Sequence, residues 1–230
     1  MLILHQYNMS PYNEKLQRML NVKGVDYETR TWRIADRGKV LKINPIGKLP
    51  AIEHDGRIVC DSSDAALYIE ETFPEPALIP ADPALRGMVH VLEDWADESL
   101  YFYEMRLRFN TPGNQELNVN RITEPETPVV RWLLRKLFPR LIRKTTTGQG
   151  VGRKSMEQLL TDTERHVAAV AGMLRNGEWL LGGQLTLADL AVYAMFQCFR
   201  DADLSNALLE KYPDVPAWMA RLEAATDKPA

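Results

Sequence analysis

Leu49-Pro50, at the head of the apolar stretch that runs to His54, is the feature that most limits how this chain can fold. Proline has no N–H to give a strand ladder, so it is confined to edges, strand starts and special turns. A cis Leu49-Pro50 bond explains it economically, since cis bonds are essentially a proline property and usually mark tight turns. The preceding backbone would then face a ligand. An ordinary trans edge proline is the other reading. Asp55-Gly56 reads as a two-residue hairpin turn between strands 49–54 and 57–60. Asp61-Ser62-Ser63-Asp64 then opens a helical run from Ala65 to Thr72, with Ser62 as the expected N-cap. The free N–H groups and dipole of a helix start make an anion site. This order brings together a cation (Lys48), exposed backbone (Leu49) and a carboxylate–hydroxyl pair (Asp61, Ser62). Such a set suits a small zwitterionic peptide.

The beginning of the chain fits the same plan. Residues 2–7 read as a first strand, and Asn8-Met9-Ser10 as a turn. Ser10 suits an N-cap and Pro11 the first helical position. Tyr12, Leu16, Met19 and Leu20 recur at helical spacing, and Gly24 ends the run. A second strand is expected over 29–34. The order strand, helix, strand, helix or loop, cis-Pro strand, strand, helix is that of an α/β thioredoxin-like half domain.

In combination these segments resemble the soluble glutathione S-transferases, with a serine-type, bacterial-like active site. The resemblance implies a thioredoxin-like domain over 1–78, a linker over 79–85 and an all-α helical domain over 86–230. It implies glutathione as co-substrate, no metal, and a homodimer. Lys48 would pair with the glycyl carboxylate. Leu49, before Pro50, would offer its backbone to the cysteinyl part, and Asp61 and Ser62 would hold the γ-glutamyl end. Ser10 would stabilise the thiolate, with Tyr7 as the competing hydroxyl and Asn8 and Asn13 as further donors. A free thiol titrates near ~8.5, and lowering that by about two units takes ~2.7 kcal/mol of preferential thiolate stabilisation. A hydroxyl donor close to a helix N-terminus can supply it. The turn carries no cysteine, which argues against dithiol redox chemistry. The implied reaction is transfer of glutathione to an electrophile, as in detoxification, or reduction of a peroxide. The electrophile pocket is expected from Tyr12, Tyr103 and Arg106, in a cluster that also holds Trp95, Tyr101 and Phe102.

Composition bounds the rest. The 230 residues are 45% hydrophobic with a net charge of −3, enough for a real core and unlike a general nucleic-acid binder. No run approaches the roughly 18 apolar residues of a membrane span. Two cysteines make a disulfide framework unexpected, so a reducing cytoplasm is the default. Four prolines between Pro74 and Pro83 mark the linker. Beyond it, Leu85, Val89, Leu92, Trp95, Ser99 and Tyr103 are read as one helix face. Thr186-Leu187-Ala188-Asp189 is a capping box with Asp at the position of the usual Glu, and Leu185 and Leu190 stand where a hydrophobic staple forms.

Residues 110–128 read as a long polar loop. From Thr127 to Met156 there is no acidic residue, and basic residues interleave with Trp132, Leu133, Leu137 and Leu141. Pro139 is expected to kink or break that helix. A basic amphipathic helix can lie on a membrane or bind an acidic partner, or simply solvate its face in a bundle. Residues 138–154 resemble a metaxin-related branch of the family, which implies an alternative function: a non-catalytic interaction module acting through a protein or membrane partner.

Overall fold

The computed structural model describes residues 1–227. Strand β1 (Leu2–Tyr7), helix α1 (Pro11–Val22) and strand β2 (Tyr27–Trp32) are followed by a short 3-10 turn and α2 (Arg37–Val40). Then come β3 (Ala51–His54), β4 (Arg57–Cys60) and α3 (Ser62–Thr72). The sheet order is β2-β1-β3-β4, with β2 parallel to β1 and the other two pairs antiparallel. Leu2 and Leu4 of β1, Leu16, Met19 and Leu20 of α1, Ile52, and Ala65 and Ile69 of α3 bury their side chains together. These are the residues that the strand and helix periods put on inner faces. The Leu49-Pro50 bond is cis, and a second cis bond joins Glu75 to Pro76. Asp55 and Gly56 both have positive φ, as a type I′ hairpin turn requires.

Two local expectations shift by a few residues. β2 begins at Tyr27, ahead of the expected strand, and α3 begins at Ser62 with Asp61 as its cap. Asp61 wins over Ser62 because its carboxylate accepts from the Ser63 N–H at 2.8 Å, while the Ser62 hydroxyl turns to another partner.

The rest of the chain is helical: α4 (Pro83–Trp95), a π-helical turn over Ala96–Leu100, α5 (Tyr101–Phe109), α6 (Asn114–Ile122) and α7 (Pro128–Gln149). After these come α8 (Met156–Leu174), α9 (Leu187–Arg200), α10 (Asp203–Glu210) and α11 (Asp214–Thr226). The stretch expected as a loop thus contains α6. Its sequence is polar, but Asn118 is buried and its amide donates to the carbonyls of Asn114 and Asp201. Tertiary hydrogen bonds hold a helix that composition alone does not specify. α7 also runs through Pro139 without a break. The carbonyl that loses its partner belongs to Arg135, an exposed residue, and the carbonyl of Pro139 accepts from Asn110 at 3.1 Å.

Helix α9 is the hub. Nearly every residue from Leu187 to Phe199 is buried, against α1, α4 and α5 among others. The capping box forms as expected: Asp189 Oδ2 accepts from the Thr186 N–H at 3.0 Å and its hydroxyl at 2.8 Å. Oδ1 accepts from the Leu180 N–H and the indole of Trp218. Asp189→Ala would leave several buried donors unpaired, so a loss of about 2–3 kcal/mol is expected in urea unfolding.

Candidate active site

The two halves of the molecule enclose a cleft of about 510 Å³. Its floor is the β1–α1 turn. Met9 there has φ 61°, an uncommon value for a residue with a side chain, and its carbonyl accepts from Arg108. The Asn13 amide donates to the Tyr7 carbonyl and ties the turn to the first helical turn. Ser10 is the N-cap of α1 by position, with Pro11 at the first helical site. Its hydroxyl makes no capping bond and has no partner among the described residues. It is a free donor at a helix N-terminus, facing the cleft.

One wall comes from the cis-Pro segment and the start of α3. Lys48, Leu49, Pro50, Asp61 and Ser62 all line the cleft, so every glutathione-site residue expected from the sequence reaches the same cavity as Ser10 and Tyr7. Lys48 has no ion-pair partner among the described residues. Asp61 has φ 77° and ψ 140°, a sparsely populated conformation for a residue with a Cβ. Such strain costs on the order of 1–3 kcal/mol and clusters at ligand clamps.

The opposite wall is helical. Tyr12, Asp97, Tyr101, Met105, Arg108 and Phe109 line it, joined by Phe138 and Ile142 of α7. Tyr12 donates to the Asp97 carbonyl at 2.9 Å, and burial holds its phenol protonated far beyond the usual range. Tyr103 and Arg106 are not brought to the cleft. Tyr103 lies edge-on to His166 and accepts from Lys154, and Arg106 donates to the Asn110 carbonyl. The cause is which helix face each residue occupies. Asp94, Asp97, Tyr101, Met105 and Arg108 recur at three- and four-residue steps along the face that lines the cleft, whereas Tyr103 lies on another face and packs with Trp95 against the same His166 ring.

Sequence reasoning also missed an ionic cluster under the start of α3. The Lys15 ammonium, fully buried, lies 2.6 Å from Glu93 Oε1 and 2.5 Å from Asp97 Oδ2. The same carboxylates accept from the hydroxyls of Ser63 at 2.6 Å and Ser62 at 3.2 Å. Asp97 is 5% exposed, and its second oxygen, Oδ1, is buried without a hydrogen-bond partner among the described residues. The available signal was the pair Glu93, in α4, and Asp97, in the π-helical turn that follows, four residues apart.

The comparisons with known proteins agree with this geometry. A family model for the glutathione S-transferase N-terminal domain matches residues 4–77, and one for the glutathione S-transferase C-terminal domain matches 131–225. Together they take in well over half of the chain. The chain belongs to the glutathione S-transferase superfamily. A glutathione S-transferase of Pseudomonas putida is 28% identical over 216 residues, 92% of this chain and 78% of that protein. Glutathione S-transferase U7 of Arabidopsis thaliana is 30% identical over 100 residues, 43% of this chain and 44% of that protein. The matched segments span about half or less of the first curated relatives. A solved glutathione S-transferase from Rhodospirillum rubrum superposes with a TM-score of 0.71 at 22% identity, covering 97% of this chain and 88% of its own. That likeness establishes the transferase fold, a mixed four-stranded thioredoxin-like domain followed by a helical one. Among the described residues no helix is long and apolar enough to cross a membrane.

Proposed function

We propose that this chain is a glutathione transferase, acting as a homodimer, in which Ser10 donates to the glutathione sulfur and holds it as the thiolate. The observation that carries this reading is the convergence on one cleft of an unpartnered hydroxyl at a helix N-terminus, an unpartnered lysine and the strained Asp61 beside Ser62. Lys48 takes the glycyl carboxylate, and the Leu49 backbone runs beside the cysteinyl unit. The N-terminus of α3 and Ser62 receive the γ-glutamyl carboxylate, and the Asp61 and Asp97 carboxylates receive its ammonium. The electrophile lies against Tyr12, Tyr101, Met105 and Phe109, and a peroxide could take the same place. The nucleophile is supplied by the bound peptide, and the protein supplies orientation and electrostatics.

The test is calorimetric titration with glutathione, with thiolate absorbance followed through pH on the same sample. Binding with a thiol pKa below the free value of ~8.5 is expected. Asp61→Ala should weaken binding about tenfold while leaving the bound thiol's pKa in place, because it removes one charge-assisted contact remote from the sulfur. Unchanged affinity would remove Asp61 from the site.

A second reading rests on α7. Val129, Leu133, Leu137 and Leu141 form an exposed ridge at four-residue spacing. Lys136, Arg140 and Lys144 run beside it. That face fits an interaction module of the metaxin-like kind, docking on an anionic surface. Absence of glutathione binding, together with binding to anionic vesicles, would favour it.

A further inference from the structure

Beside its exposed apolar ridge, α7 carries a recess of about 250 Å³. Arg135, Lys136, Pro139, Arg140 and Arg143 of α7 line it, together with Gln115 of α6. It is separate from the Ser10 cleft, which α7 meets through Phe138 and Ile142. The four basic residues are exposed, so their donors are open to a ligand. None of them has an ion-pair or hydrogen-bond partner among the described residues, and neither has the Gln115 amide. The Lys136 ammonium rests over the Trp132 ring at 4.1 Å, which leaves its N–H groups unbonded. No carboxylate lines the recess. Elsewhere Lys15, Arg18, Lys23, Arg33, Arg108 and Arg121 each meet a carboxylate.

Like charges three and four residues apart on a helix are neighbours, about 5–6 Å between Cβ atoms, and they repel. Lys136, Arg140 and Arg143 are spaced in this way. That is within the ~8–10 Å over which salt screens exposed charges. The fold therefore holds a local excess of positive charge that no carboxylate in the recess offsets. The excess continues behind Pro139. Arg106 donates to the Asn110 carbonyl, and the Asn110 amide donates to the Pro139 carbonyl. Burial first, and the Arg143 charge second, lower the pKa of the Arg106 guanidinium. A bound anion removes the repulsion and takes up the free donors together. Guanidinium groups favour phosphate, whose oxygens accept paired N–H bonds. Four unneutralised cations match two linked phosphoryl groups better than a single monoanion.

We infer that the recess is a binding site for a small anion carrying linked or clustered phosphoryl groups, held by Arg140 and Arg143 with Arg135, Lys136 and Gln115 completing the set. The shared chemistry is the phosphoryl group, free in solution or carried on a lipid headgroup. The assignment does not depend on the transferase reading, because Ser10 and the glutathione-site residues lie in the other cavity. It also differs from docking of the ridge on an anionic surface, because it requires one ligand per chain and a preference for phosphate.

The experiment titrates inorganic pyrophosphate into the full chain by calorimetry at fixed ionic strength, with sulfate as the comparison anion and glutathione in separate titrations. One pyrophosphate per chain is expected, bound at least about tenfold tighter than sulfate. Arg140→Gln/Arg143→Gln should weaken it at least about tenfold and leave glutathione affinity unchanged. Lys144→Gln removes an exposed charge of the same helix outside the recess, and should weaken it by less than about threefold. Absence of pyrophosphate binding, equal affinity for sulfate, or equal losses in Lys144→Gln and the double variant would overturn the site. Phosphatidylcholine vesicles with a minor fraction of phosphatidylinositol bisphosphate then identify the source. Vesicle binding that pyrophosphate displaces assigns a lipid headgroup, and vesicle binding that it does not displace, or none, assigns a free ligand. Failure of glutathione to bind would overturn the transferase reading while leaving the pyrophosphate comparison to judge the recess.

Discussion

Replacing Ser10 with alanine is expected to lower kcat/KM at neutral pH by about one to two orders of magnitude and to raise the pKa of the bound glutathione thiol. A hydrogen bond to a charged group contributes roughly 1.5–3 kcal/mol, and each 1.36 kcal/mol moves a pKa by one unit. Ser10 is suited to this because its hydroxyl is not spent on capping α1. The helix dipole and the orphan N–H groups of the first turn would remain in Ser10→Ala and keep part of the depression. The inflection of the rate–pH profile should therefore move upward without reaching the free-thiol value. KM should change little, because in the proposed site the peptide is held mainly by Lys48, Asp61 and the start of α3. Tyr7 is the control. Burial raises its phenol pKa, so it is also a protonated donor at neutral pH. Equal rates for Ser10→Ala and wild type, with a loss in Tyr7→Phe, would transfer the role to Tyr7.

The parts of the site that sequence reveals are those whose geometry is set within a few residues. Pro50 after a leucine, Asp55-Gly56, and Ser10 before Pro11 each impose a backbone shape locally, and each is found in the expected place. The capping box of α9 belongs with them. The second wall reads only in part because the aromatic cluster is close in sequence but spans more than one helix face. Tyr101, Met105 and Arg108 share the face that lines the cleft, while Tyr103 packs into the core beside Trp95 and His166. α6 and the passage of α7 through Pro139 are unreadable for a different reason. Their support comes from Asn118 and Asn110, which bond across the fold to carbonyls that no local pattern identifies. The Lys15 cluster lies between these cases. Its residues are visible as charged interruptions of apolar faces, but their meeting requires the packing of α1 on α4.

Lys15→Met is the substitution expected to harm stability most, by about 3–5 kcal/mol at and above neutral pH. Methionine matches the length of the stem, so the loss is electrostatic: two carboxylates stay buried with their common cation removed. Against a total of roughly 5–15 kcal/mol this is a large share. The pH dependence identifies the cause. Burial pushes the Asp97 carboxyl up to about 6, Lys15 opposes that, and Glu93 adds to it. The unfolded Asp titrates near ~3.9, so between about pH 4 and 6 the native state binds more protons. Stability from this group is complete below ~3.9, falls as pH rises through the window, and levels off above it. Without Lys15, which opposes the upward shift, the Asp97 carboxyl holds its proton to still higher pH. The variant's deficit should then be small at about pH 5 and large at about pH 8, measured by urea unfolding. A deficit equal at both would mean that packing, and not charge, is what Lys15 supplies. Glutathione affinity should fall with the deficit, because Ser62 and Ser63 take their orientation from these carboxylates, and they open the helix that the proposed site assigns to the γ-glutamyl end.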